Sequence, residues 1–151
     1  MIIHQRSKKE KKKIEDGLDP MLARTKEVIF AYIYGSFFSA VWFRDLDIAV
    51  FVDEKKVGRK EALDYEISLS LELEKMLRLP VDVKILNYAP LSFRYEVTRG
   101  KLVFSRDEGA MFTFLEETWH RYLDFAPVEK QFIKEMFAYT HTFYKKYIKY
   151  Q

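Results

Sequence analysis

YGSFFSAVWFRDLDIAVFVD, residues 34–53, is the stretch whose reading decides the fold. It sets Gly35-Ser36 ahead of a β-branched and aromatic run, and it plants Asp45 and Asp47 at the start of that run. Successive strand side chains point to opposite faces, so residues two apart share one. With residues 45–52 as a strand, Leu46, Ile48 and Val50 point into a core and both carboxylates project together on the other side. Two like charges held this close raise each other's pKa, and a hard divalent cation such as Mg2+ relieves the repulsion. An ion pair with Arg44 at a frayed strand start is the plainer alternative.

Working outward, VIFAYIY (28–34) reads as a strand that stops at Gly35. Residues 10–26 are helix-like, with Pro20 as a kink or break. Residues 59–78 read as the longest helix. Leu63, Ile67, Leu71 and Leu77, with Leu73 and Met76 beside them, form its expected core face, and glutamates the other. VDVKIL (81–86) alternates as a third strand, APLSFRYEVTRG (89–100) as a short helix, and KLVFS (101–105) as a fourth strand. From Glu108 the pattern is helical, with a break expected at Pro127. An aromatic stripe of Phe132, Met136, Tyr139, Phe143 and Tyr147 is expected to pack on the preceding helix, with a protein-partner surface as the alternative. The expectation is one α+β domain: a basic tail and helix over 1–26, a core of about four mixed strands flanked by helices over 27–107, and a C-terminal helical pair over 108–151.

Composition narrows the chemistry. The 151 residues include no cysteine, which excludes disulfides and thiolate metal sites. Residues 1–13 carry a net charge of +5, leaving the remainder at −2, so the basic bias belongs to a tail rather than a folded face. The scarcity of asparagine and glutamine beside 32% charged residues is a thermophile-like trait. There is no signal-peptide order and no apolar run of membrane length, which gives a cytoplasmic expectation. His4, His120 and His141 are scattered and read as surface or packing residues. Ser36 has no visible His–Asp partners, and no P-loop motif is present.

Asp82, in the third strand, can stand beside Asp45 and Asp47 if strands two and three are neighbours, completing a three-carboxylate site. Gly35 lets backbone approach a ligand closely, and the N–H groups after it, with the Ser36 hydroxyl, can cradle phosphate. These segments together resemble the hG[GS]…DhDh…hDh pattern of the polymerase-β-like nucleotidyltransferases, and the short layout is similar to the minimal (MNT or MntA-type) members. APLSFRYEVTRGKLVFSRDE and RYLDF add to the likeness, which covers roughly residues 28–125. The stretch FFSAVWFR between Ser36 and Asp45 departs from it, being apolar and lacking the family's Arg-Gly; Arg44 is the nearest substitute.

The resemblance implies an ATP-using, Mg2+-dependent fold and chemistry. Asp45, Asp47 and Asp82 would be the catalytic and metal-binding carboxylates for two ions. Gly35, Ser36 and Arg44 would bind the nucleotide. It further implies an antitoxin that transfers AMP to a tyrosine of a HEPN-type toxin, with homo-oligomerisation open. Two other readings stay open at this stage: an inactive binding module that neutralises a partner by contact, and a transferase acting on RNA or a small molecule.

Overall fold

In a computed structural model of the chain, residues 4–5, 8–35, 42–43 and 45–147 are described, with side chains over 8–35 and 45–138. The elements run β1 (His4–Gln5), α1 (Lys8–Arg24), β2 (Val28–Tyr34), β3 (Trp42–Phe43), β4 (Leu46–Val52), a 3-10 turn (Arg59–Glu61), α2 (Ala62–Leu77), β5 (Val81–Ile85), α3 (Leu91–Thr98), β6 (Lys101–Ser105) and α4 (Glu108–Tyr147). Among the described residues the main sheet has four strands in the order β5-β4-β2-β6. The β4–β5 pair is parallel, joined by α2 as crossover, and the other two pairs are antiparallel. The α+β expectation with a four-strand mixed sheet flanked by helices is met. β1 and β3 form a separate two-residue antiparallel ladder, His4 opposite Phe43 and Gln5 opposite Trp42, which the sequence did not signal.

Strand alternation sorts the core into two layers. Ala31, Ile33, Ile48, Val50, Val81, Val83 and Ile85 face Leu18 and Leu22 of α1 and Leu69 and Leu73 of α2. Phe30, Tyr32 and Ala49 face the other way, with Val97 of α3 and Met111 and Phe114 of α4. Phe30 stacks on Phe51 at 4.8 Å between centroids, and Phe114 tilts against both. Such contacts fix the ring geometry beyond what burial alone would.

α2 corrects the expected helix face. Leu69 and Leu73 are buried, whereas Leu63, Ile67 and Leu71 are 64%, 52% and 54% exposed and Met76 is exposed as well. The cause lies in the edge strand. The outward N–H groups of β5 need acceptors, and α2 supplies them from a polar row. Glu66 Oε2 accepts from Ile85 N at 3.0 Å, Ser70 Oγ from Val83 N at 3.0 Å, and Glu74 Oε1 from Val81 N at 3.1 Å. Four helical residues advance about 6 Å and two strand residues about 6.6 Å, so the two rows keep step. Turning that polar row toward the sheet edge rotates the Leu63–Leu71 stripe to the surface.

Of the kink or break expected at Pro20 and the break expected at Pro127, neither break is present. α1 continues through Pro20 and α4 through Pro127. The expected C-terminal pair is therefore a single 40-residue helix. It offers no preceding helix for the aromatic stripe to pack on: Phe132 and Met136 are exposed, while the side chains of Tyr139, Phe143 and Tyr147 lie outside the described set. Among the described residues no helix is long and apolar enough to cross a membrane.

Long-range polar contacts tie the ends of the elements. The Arg106 guanidinium donates to the carbonyls of Leu22, Ala23, Thr25 and Val28, capping the C-terminus of α1 where backbone acceptors lack helical partners. Asp107 accepts from Ala110 N at 3.1 Å and starts α4. Asn87, the chain's one asparagine, exchanges two 2.8 Å hydrogen bonds with the backbone of Val52, closing the end of β4. At Gly100 a β-carbon would collide with the Ile33 carbonyl oxygen, so only glycine lets α3 turn into β6 against β2.

Candidate active site

Three adjacent strands bring one row of side chains together. Tyr34 on β2 is opposite Asp47 on β4, and Asp47 is in register with Asp82 on β5. All three belong to the face that carries Ala49 and Phe51, opposite the layer of Leu46, Ile48 and Val50. Asp45 precedes β4 in an exposed bend rather than within the strand. Lys84, two residues beyond Asp82 on the same face of β5, brings Nζ to 3.8 Å from Asp82 Oδ1, with both side chains about half exposed.

β2 ends at Gly35 in a left-handed conformation, φ +79°. A β-carbon there would lie 2.8 Å from Asp47 Oδ2. Glycine thus meets both demands of the position, a turn that L-residues disfavour and room for a carboxylate against the backbone. Ser36 and Arg44, the other two nucleotide-binding candidates, lie outside the described residues.

The row is electrostatically loaded. Burial pushes the Asp47 carboxyl up, and Asp82 and then Asp45 push it further, to about 6, against the opposing pull of Lys84. The Tyr34 phenol is raised well above its ordinary value, first by burial and then by Asp47, Asp82 and Glu66. Carboxylates that repel one another in this way gain from a shared cation. Among the described residues no group of three or more His, Asp or Glu closes around a common metal position. Asp47 and Asp82 form the in-register pair, with Asp45 ahead of it. The donor chemistry, carboxylate oxygens only, suits Mg2+.

Asp47 and Asp82 were legible from strand alternation, and Lys84 could have been, because VDVKIL places it on the face of Asp82. Tyr34 was missed because a tyrosine closing an apolar strand carries no signal of its own. Phe93 of α3 was missed as well; it packs edge-on against Tyr34 at 5.4 Å between centroids.

The family model "Polymerase beta, Nucleotidyltransferase" matches residues 16–109, a span holding β2, β4 and β5, and the chain belongs to that family. No curated protein matches the chain in sequence. Solved structures of similar fold include a chain from the complex of a tri-AMPylated HEPN toxin of Shewanella oneidensis with an MNT antitoxin. It has a TM-score of 0.62 and 19% identity over 84% of this chain and 98% of that one. A chain from a toxin–antitoxin complex with AMP-PNP has a TM-score of 0.64 and 21% identity, over 82% and 98%. One from the MntA–HepT complex has 0.61 and 19%, over 83% and 98%. At these identities the likeness is one of fold.

Proposed function

We propose that the protein is a Mg2+-dependent nucleotidyltransferase that moves AMP from ATP to a hydroxyl, the tyrosine of a HEPN-type toxin, and so acts as an antitoxin. The observation that carries this reading is the Asp47–Asp82 pair held in register beside the left-handed Gly35 turn, in a chain of the nucleotidyltransferase family. The fold neighbours come from complexes of HEPN toxins and of AMP-PNP, which supports the choice of partner and nucleotide.

In the transfer, the acceptor oxygen bonds to the α-phosphorus while the bond from that phosphorus to the α,β-bridging oxygen breaks. Pyrophosphate leaves, and the hydroxyl proton passes to a carboxylate of the site. Asp45, Asp47 and Asp82 would hold Mg2+, which when bound supplies charge neutralisation for the polyphosphate and a lowered pKa for the acceptor hydroxyl. The chain's own part is positional. The β4–β5 register fixes two carboxylates on a rigid pleat, Gly35 brings backbone close to them, and Lys84 tempers their charge.

ATP labelled at the α-phosphate, incubated with Mg2+ and a purified HEPN-type toxin, tests the reading. Label is expected on the toxin and is expected to fall by a hundredfold or so with Asp47→Asn. Undiminished transfer by that variant would remove Asp47 from the mechanism. Label on RNA instead of protein would favour a different acceptor class.

A further inference from the structure

On the site face of β4 and β5, four residues mark the corners of a rectangle. Asp47 is in register with Asp82, and Ala49 with Lys84. Neighbouring strands lie about 4.8 Å apart, and residues two apart are about 6.6 Å apart along a strand, so the diagonal from Lys84 to Asp47 is about 8 Å. Ala49 puts only a methyl group beside the lysine stem. Lys84 Nζ stands 3.8 Å from Asp82 Oδ1. Its charge is also felt at Asp47, where it opposes the rise that burial and the other two aspartates impose. The carboxylate row thus carries a cation of its own.

That cation is held loosely. Both side chains of the pair are about half exposed, and ion pairs in such a setting are weak and break readily. A lysine ammonium is a compact charge on a flexible four-carbon stem. It also has a second place to go. Lys84 lines a cavity of about 410 Å3 together with Ala62, Glu66, Tyr88 and Phe93. Glu66 spends Oε2 on the Ile85 N–H, and its carboxylate charge remains on the cavity wall for the ammonium. An ammonium and a hard divalent ion want the same oxygens. Asp82 is neutralised by one or given to the other, and an ion entering the row meets a positive charge 3.8 Å from one of its carboxylates.

We infer that Lys84 is the internal counter-ion of the site: it competes with the divalent cation for Asp82, and metal enters as the lysine swings away toward Glu66. Lys84 acts through the carboxylates, as a positioning residue, and sets how tightly the empty row takes metal. The inference rests on the metal-dependent transferase reading above. A lysine that merely supported β5 would leave metal affinity unchanged.

The test measures Mn2+ binding by the nucleotide-free full chain, from the electron paramagnetic resonance signal of the free ion. Lys84→Met and Lys84→Gln remove the charge in two ways, Lys84→Arg keeps it, and Asp47→Asn reports whether the ion sits in the row. Melting curves confirm that each variant is folded. The two neutral variants are expected to bind Mn2+ at least about fivefold more tightly than the wild type, the scale set by a unit charge about 4 Å from a half-exposed carboxylate. Lys84→Arg is expected to stay within about twofold of the wild type. Unchanged or weaker binding by a folded neutral variant, with the ion lost in Asp47→Asn, would overturn the inference and leave the metal reading standing. Equal tightening by the neutral variants and by Lys84→Arg would overturn it too, because charge would then not be the cause. Mn2+ held by Asp47→Asn as tightly as by the wild type, or taken up by none of these proteins, would instead overturn the metal reading on which the inference rests.

Discussion

Gly35 and Asp47 are built around each other: the glycine takes a positive φ, and the space a β-carbon would fill is taken by the aspartate's Oδ2. The turn that ends β2 and the carboxylate that heads the site therefore cannot be varied independently. This coupling makes the site's geometry accessible to experiment.

Gly35→Ala is expected to cost about 1–2 kcal/mol of stability from the left-handed backbone alone. Because the new methyl also displaces Asp47, nucleotide transfer is expected to fall further than that loss accounts for. Thermal unfolding and labelled transfer, measured on the same preparation, separate the two effects. Full activity in a folded variant would show that Asp47 needs no such fit.

Asp47 titrates against stability. Its carboxyl sits at about 6 in the folded chain against 3.8 ordinarily, so within that window the folded chain holds a proton that the unfolded chain has lost. Stability is expected to fall as pH rises from about 4 to 6 and to remain lower above. Asp47→Asn removes the penalty, giving no gain below pH 4 and a gain of roughly 1–3 kcal/mol at pH 7 after allowance for solvent screening. Denaturant unfolding at pH 4 and pH 7 checks it; equal differences at the two pH values would contradict the shift.

The same group predicts a metal response. Mg2+ binds the ionised carboxylates, so added Mg2+ is expected to move the Asp47 midpoint toward lower pH and to raise the melting temperature at pH 7. Carbon-detected NMR of the aspartate carboxyls, with Ca2+ and Na+ as controls, follows the midpoint directly. A midpoint indifferent to Mg2+ would remove Asp47 from the metal set.

Ser70→Ala leaves Val83 N without its acceptor in the α2–β5 ladder and is expected to destabilise by about 1–3 kcal/mol. Hydrogen exchange at Val83 is expected to accelerate more than at Ile48 in the strand interior. Arg106→Gln, which strips charged donors from four carbonyls, is expected to lose a comparable or larger amount, and first in the last turn of α1.

How far the chain could be read in advance follows from which contacts are local. β2, β4, β5 and β6 were legible because each is a short β-branched or aromatic run bounded by Gly, Pro or charge. The period of two puts Asp47 and Asp82 each on the side of its strand away from the Ile48 and Val83 layer, but bringing them side by side needs the parallel β4–β5 pairing, which spacing alone does not give. α2 was misread because its exposed Leu63–Ile67–Leu71 row has the same helical spacing as a core stripe. Only the neighbouring edge strand, with N–H groups that Glu66, Ser70 and Glu74 satisfy, decides which side turns inward. Arg106 was invisible for a similar reason, since its partners are backbone carbonyls some 80 positions earlier and leave no trace in side-chain pattern. Pro127 reads as a stop, yet α4 runs through it.

The most direct measurement is the intact mass of a HEPN-type toxin after incubation with this protein, ATP and Mg2+, beside an Asp45→Asn/Asp47→Asn control. The account predicts toxin heavier by one or more AMP groups, each mapped to a tyrosine and absent with the control. A toxin silenced at unchanged mass, equally well by the wild-type protein and the double variant, would contradict it and leave neutralisation by contact.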